Sequence, residues 1–254
     1  MKNNKQKTIK ININFDFTTD TPLFWETYWN DEMGGVFVDP DNKSKTLKKY
    51  HKSIWTKQLP NGEFFNLIEG DEKQYLIWKN FRFSSDSIIA SFRYEKYRYM
   101  IKQVINHLPN YKEFMEDYTR RSYTIGGSII FPKMKGSINQ RRGCNPYIID
   151  RFDLTLECIR KYYKGETSPL TNVLEKNKNF FDLFVDFKGY VEFFFLQDLV
   201  NEDFTKVIFW LGDGTFFKNP FPKNVEEYLS WIEKQLDFVD KRNLRIEKYA
   251  KIKS

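Results

Sequence analysis

The residues best suited to bind an anion lie between Asp117 and Asp150, a segment that contains six Lys and Arg and no Asp or Glu. Within it, residues 137–145 contain glycine and are interpreted as a loop that leads into a helix starting at Asp150. Backbone amides at a helix start and the planar guanidinium of arginine both bind phosphate or carboxylate. The candidate ligand-binding residues are Asn139, Gln140, Arg142, Gly143, Asn145 and Arg151.

The same segment also has a structural interpretation. Its pattern is neither a Walker A loop nor a GxGxxG turn, and Gly143 is a lone glycine. Asn145 or Asp150 can cap the following helix, and the arginines can pair with surface carboxylates. The sequence leaves both interpretations open.

A second candidate site lies on the helix that follows, where Asp153, Glu157 and Arg160 share one flank at helical spacing. Two carboxylates four residues apart can bind a divalent metal or act as acid and base. The same trio is also typical of a charge-balanced structural network. With His51 and His107 as the only histidines and no GxSxG motif, a hydrolase triad has little support. No motif implies a particular cofactor.

Four further carboxylates lie near turns in the first part of the chain, and turn formation and helix capping explain them. His51 falls on the apolar stripe of a predicted helix and is interpreted as a packed core histidine. The four carboxylates are Asp16, Asp20, Asp39 and Asp41.

The elements that position these residues follow from apolar periodicity. Strands and helices interleave without a regular βαβ alternation, which predicts a single α+β domain over residues 1–254, with a largely antiparallel sheet packed against several amphipathic helices. The predicted strands are 9–15, 63–67, 74–83, 87–92, 123–131 and 207–211. The predicted helices are 44–55, 94–118, 150–163, 170–184, 190–199 and 225–239.

The charge and the apolar content of the chain limit the kinds of partner to expect. A formal net charge of +7 and a sequence pI of about 9.1 favour an anionic ligand. No run approaches the ~20 apolar residues that cross a bilayer, and no apolar segment follows the basic N-terminus as in a secretory signal. We therefore expect a cytoplasmic protein without a membrane partner. Cys144 and Cys158 fit reduced thiols, because two cysteines without a nearby histidine are too few for a zinc site.

Several motifs along most of the chain resemble an uncharacterised family of bacterial proteins of unknown function. The resemblance implies one domain but no activity, cofactor or partner. Its version of the basic segment, SINQxRG, leaves the position of Arg141 open and makes Arg142 the better anion-binding candidate. The motifs are FDFTTDTP from residue 15, YH from 50, LPNG from 59, YTIGG from 123, FP from 131, SINQ from 137, DRFDLTLECIR from 150 and DFKGY from 186.

Three hypotheses from different classes follow. The first is a protein that binds a phosphate-bearing ligand, either a nucleotide or nucleic acid, through the basic segment. The second is a metal-assisted hydrolase or transferase that uses Asp153 and Glu157 beside Arg142 and Arg160. The third is a protein-interaction or regulatory module, for which the 25 Phe, 15 Tyr and 6 Trp supply an exposed patch. No particular protein partner is indicated.

Overall fold

The computed structural model of the chain describes residues 10–30, 38–70, 75–91, 106–133 and 136–253. The four strands are β1 (Ile68–Glu69), β2 (Leu76–Trp78), β3 (Phe81–Ser87) and β4 (Ser128–Pro132). The helices of the first half are α1 (Phe24–Asn30), α2 (Pro40–Lys43), α3 (Lys45–Trp55), α4 (Tyr111–Ser122) and α5 (Ile138–Cys144). Those of the second half are α6 (Phe152–Tyr163), α7 (Thr171–Lys176), α8 (Lys178–Phe181), α9 (Phe187–Phe193) and α10 (Val225–Lys253).

The sheet is a small antiparallel meander in the order β1-β2-β3-β4. Strand β4 is buried along its whole length and pairs with β3, so that Ser85 faces Ile130 and Asp86 faces Ile129. Helices cover this sheet, and one apolar cluster extends from Ile11 to Ile246. The predicted α+β class with an antiparallel sheet is confirmed.

Helices with clear capping signals form where the sequence predicts them. Helix α3 starts after Ser44, whose hydroxyl accepts from the Leu47 amide at 3.0 Å. Helix α10 starts after Asn224, whose side chain accepts from the Glu227 amide at 2.8 Å. The Glu227 carboxylate accepts in turn from the Lys223 amide at 2.8 Å, which completes a capping box displaced by one residue.

Several predicted elements differ. Residues 137–145 are not a loop, because Ser137 caps α5 by accepting from the Gln140 amide at 3.4 Å. Residues 10–15 form turns rather than a strand, and Asn12 accepts from the Asn14 amide at 3.1 Å. Residues 207–211 contribute a single bridge, between Val200 and Val207. Of the predicted helix 94–118, residues 94–105 lie outside the described residues.

Helix α10 sits directly on the 3-10 turn that precedes β4. Arg242 is fully buried and donates to the carbonyls of Gly126 (2.8 Å), Ser128 (2.7 Å) and Phe194 (3.0 Å). Asn243 accepts from the Gly126 amide at 2.7 Å. A Cβ on Gly126 would lie 2.8 Å from Asn243 Oδ1 and still closer to the Val239 carbonyl. The helix can therefore approach this closely only because residue 126 has no side chain.

We expect Gly126→Ala to lower the free energy of unfolding by about 1–3 kcal/mol or more, because the added methyl group meets rigid helix backbone. Gly143→Ala is the matched control: its Cβ would find its nearest neighbour, Asp150, at 3.7 Å, and alanine is the better helix former. Chemical denaturation of both variants measures the difference. Equal stabilities would contradict the close approach.

His51 is a buried core residue, as the sequence predicts. Its ring nitrogens contact the Ser128 hydroxyl at 2.9 Å and the Tyr75 hydroxyl at 3.1 Å. Burial lowers the pKa of His51 to about 3, and the charge of Arg242 acts in the same direction. The imidazole is therefore a neutral structural group across the physiological pH range.

This depressed pKa predicts an acid-sensitive contribution to stability. Below pH 6.5, His51 is protonated in the unfolded chain, whereas in the folded protein it stays neutral down to about pH 3. The stability present above pH 6.5 is therefore lost as the pH falls. We expect the stability advantage of the wild type over His51→Gln to shrink by about 1–2 kcal/mol between pH 6.5 and 5, at about 1.4 kcal/mol per pKa unit. Denaturant titrations at the two pH values test this, and an unchanged difference would refute it.

Candidate functional site

Helix α5 places two consecutive arginines in opposite environments. Ile138 is buried and fixes one side of the helix on the core, and Arg142 follows it on the same side four residues later. Arg141 is exposed on the other side. Arg141 lines one pocket, whereas the carboxylates that pair with Arg142, Asp86 and Asp150, line another.

Arg142 is 1% exposed and ties together three parts of the chain. Its Nη1 forms ion pairs with Asp86 at the end of β3 (2.8 Å) and with Asp150 before α6 (2.9 Å). Its Nη2 donates to the Asp150 carbonyl at 2.7 Å, and its Nε donates to Thr155 of α6 at 3.2 Å. All three nitrogens of this guanidinium are engaged by the protein, which opposes the predicted role of Arg142 as the anion-binding arginine.

The backbone that supplies Asp150 is strained. Ile149 and Asp150 have φ angles of 42° and 69°, in the left-handed region that a β-branched residue rarely enters. The Arg142 bonds to both the carbonyl and the carboxylate of Asp150 hold this turn in place. Strain of this kind is concentrated at functional sites, where the surrounding structure maintains it.

The acidic pocket has a volume of about 100 Å³ and is lined by Asp86 and Asp150, the two carboxylates that pair with Arg142. Burial, then the charges of Asp39 and Asp86, raise the pKa of Asp41 well above its usual range, although the Ser85 hydroxyl donates to it. Burial raises the pKa of Asp86 to about 7 against the opposing charge of Arg142. Because Asp86 changes charge near neutral pH, the pocket can take up or release a proton there. Among the residues that line this pocket are Tyr28, Asp39, Asp41, Asp86, Ser91 and Asp150.

The basic pocket lies on the other side of α5 and has a volume of about 270 Å³. Two cations border it, Arg141 from α5 and Lys176 from the end of α7. Buried Leu170 and Val173 form its apolar wall. It is also lined by Gly136, Asn145, Pro169 and Asn172.

The structure separates most of the predicted ligand-binding residues. Asn139 donates to Ser84 and Ser85 of β3, both at 3.3 Å, and Gln140 is exposed on α5. Gly143 backs onto the Asp150 carboxylate. Of the set, Asn145 lines the basic pocket, and its amide donates to the Pro169 carbonyl at 3.2 Å.

Arg151 and the three helix residues form two separate ion pairs. Arg151 and Asp153 are both buried and form a two-bonded pair at 3.2 and 2.5 Å; Arg151 also donates to the Leu211 carbonyl at 2.6 Å. Glu157 and Arg160 form a second two-bonded pair, with both distances 2.7 Å. These contacts match the structural interpretation of the trio.

Sequence reasoning missed Asp86, Ser91 and Lys176. Asp86 and Ser91 lie in or after a strand, where a polar residue within a Phe- and Ile-rich run was the available signal. Asp39 was expected only as a cap, and it does cap α2 by accepting from the Asp41 amide at 2.9 Å. Asp39 also lines the acidic pocket. The sequence could not predict this, because the pocket is formed together with Asp86 of β3, which lies far along the chain.

The two arginines of α5 provide a matched pair for a stability test. Arg142→Met leaves Asp86 and Asp150 without their shared cation, and we expect it to lower the free energy of unfolding by about 3–5 kcal/mol. Arg141→Met changes an exposed side chain of the same helix and should stay within about 0.5 kcal/mol of wild type. Urea denaturation measures both. Similar effects of the two changes would contradict a stabilising role for the buried ion pairs of Arg142.

The described ranges hold no group of three or more His, Cys, Asp or Glu side chains arranged to bind a metal ion. Across those ranges, no helix combines the length and the apolar character that a bilayer crossing needs.

Comparison with known proteins places the chain in a family. No curated protein and no solved structure matches it. A family model does match, and it spans residues 11–246, which include both pockets and every element from α1 into α10. The chain therefore belongs to a family of unknown function, DUF6994.

Proposed function

We propose that this is a cytoplasmic protein that binds a small phosphate-bearing molecule of the mononucleotide class in the basic pocket. The observation that carries the proposal is that Arg141 and Lys176 border one concave pocket while neither forms an ion pair with a carboxylate in the described part of the chain. An arginine fork and a lysine ammonium together suit a phosphate group, the first for planar two-bond contact and the second as a point charge.

The remainder of the pocket suits the uncharged part of such a ligand. Leu170 and Val173 are 2% and 6% exposed and offer an apolar wall to a sugar or base. The amide of Asn172 supplies polar contact at the rim. A volume of about 270 Å³ lies near the lower end of small-molecule pockets, which suits a small ligand rather than a folded polymer.

Binding should depend on the phosphate and on both cations. We expect adenosine monophosphate to bind measurably at 50 mM salt, and adenosine to bind at least tenfold more weakly. Arg141→Gln and Lys176→Gln should each weaken the nucleotide about tenfold, since a charged hydrogen bond contributes about 1.5–3 kcal/mol. Isothermal titration calorimetry measures all four affinities.

The control is Lys206→Gln, which removes an exposed lysine that is not part of the pocket and should leave the affinity unchanged. Equal binding of adenosine and its monophosphate, or wild-type affinity in both pocket variants, would refute the proposal. A labelled oligonucleotide distinguishes nucleic acid as the ligand: its affinity would fall steeply between 50 and 200 mM salt, whereas a mononucleotide would lose far less.

The other two hypotheses stay predictions. The carboxylates of the enzyme hypothesis, Asp153 and Glu157, are engaged by Arg151 and Arg160. An interaction module could use an open groove of about 510 Å³ between α4 and α10, which is lined by Phe114, Leu229 and Ile232 together with acidic residues and Arg121.

A further inference from the structure

Arg242 of α10 is a buried charge whose protein partners are neutral. The side chain is fully buried, and the carbonyls of Gly126, Ser128 and Phe194 accept from its Nε and Nη1. Across the described ranges, the ion pairs of α10 involve other residues of the helix, and none includes Arg242. Burial lowers its pKa to about 9, so the guanidinium still carries its charge at neutral pH. Buried charges are normally balanced by an opposite charge, so this one calls for an anion.

Three buried hydrogen-bond donors in this region have no partner among the residues that the structure describes. They are Nη2 of Arg242, the hydroxyl of Tyr190 on α9 and the indole Nε1 of Trp55 at the end of α3. Nη2 and Nε1 can only donate. Burial raises the pKa of Tyr190 above its usual range, so its hydroxyl keeps a proton to donate. Since buried polar groups are normally paired, all three donors need an acceptor.

The three side chains all neighbour one residue, Phe194. Its ring centroid lies 5.0 Å from that of Tyr190 and 5.2 Å from that of Trp55, and its carbonyl accepts from Arg242 Nε at 3.0 Å. The guanidinium carbon of Arg242 lies 5.7 Å from the Trp55 ring centroid. The charge of Arg242 also acts on Tyr190, because it lowers the pKa of that hydroxyl against the effect of burial. The donors come from three helices and lie close together inside the core.

We infer that a small inorganic anion of the chloride class binds beside Arg242, accepting from Nη2 and from the Tyr190 hydroxyl, with Trp55 Nε1 as a further donor. The side chains around it are fully buried and aromatic, which favours an ion of a single atom that loses its water more cheaply than phosphate does. A water molecule would accept the same bonds but would leave the charge of Arg242 unbalanced. This site is separate from the basic pocket and does not depend on the proposed phosphate ligand.

Chloride should stabilise the folded protein beyond its effect as a salt. We expect the equilibrium constant of unfolding to fall at least fivefold when chloride rises from about 5 to about 150 mM, because the ion binds the folded chain and not the unfolded one. Urea denaturation in potassium chloride measures this, with potassium gluconate holding the ionic strength constant and supplying an anion too large for the core. An unfolding constant that does not depend on chloride would overturn the inference and would leave the three donors to water.

Tyr190→Phe tests the site with little risk to the fold, because it removes only a hydroxyl that has no partner within the described ranges. In gluconate it should unfold like the wild type, but its response to chloride should shrink to twofold or less. Tyr228→Phe is the control: it removes a hydroxyl near the start of α10 that donates to the Ser91 carbonyl at 2.8 Å, so it should be less stable and keep the full chloride response. Both variants keep the net charge, so chloride held by surface lysines would act on them as on the wild type. A full chloride response in Tyr190→Phe would overturn the inference.

Bromide locates the ion without relying on stability. Crystals of the wild type grown in potassium bromide should show an anomalous scattering peak beside Arg242 Nη2 and the Tyr190 hydroxyl, and crystals of Tyr190→Phe should show a weaker one. A water molecule at this place, or no ordered atom, would overturn the inference.

Discussion

The buried guanidinium of Arg142 is the interaction on which both pockets depend. A charge with 1% exposure is tolerated only when carboxylates and carbonyls surround it, and these come from β3, from the turn before α6 and from α6 itself. Satisfying Arg142 therefore fixes where α5 lies against the sheet. With α5 fixed, Asp86 and Asp150 close one cavity, and Arg141 on the opposite side borders the other.

The parts of the fold that the sequence predicts are those with local physical causes. Ser44 before α3 and Asn224 before α10 have side chains that bond within three residues, so the signal and the structure coincide. The antiparallel character of the sheet is also predicted, but the predicted strand 74–83 forms two strands, β2 and β3, and residues 63–67 contribute a single bridge, between Gln58 and Phe64. The predicted strand at residues 9–15 is wrong for a related local reason. Its alternating Asn residues favour turns, in which a side chain such as that of Asn12 bonds the nearby backbone instead of the chain pairing with another strand.

The residues around the candidate site could be predicted only in part. The acid-free stretch includes α5, because an excess of cations can be counted in the sequence itself. The helical periodicity of α5 decides which arginine faces solvent. Because glycine and asparagine in residues 137–145 suggested a loop, there was no predicted helical face on which to place either arginine. The Arg142 partner Asp86 lies 56 residues earlier, so no local pattern could pair them. His51 was predictable, since an apolar helix stripe dictates its burial.

The contact between α10 and the turn before β4 joins residues that the ribosome makes at different times. Gly126 and Arg242 are 116 residues apart, so at ~5–20 residues per second the ribosome makes the carbonyl about 6–23 s before its partner. In that interval the turn before β4, which is buried in the folded chain, has no α10 to pack against. The nascent chain therefore cannot complete this contact until α10 has been made.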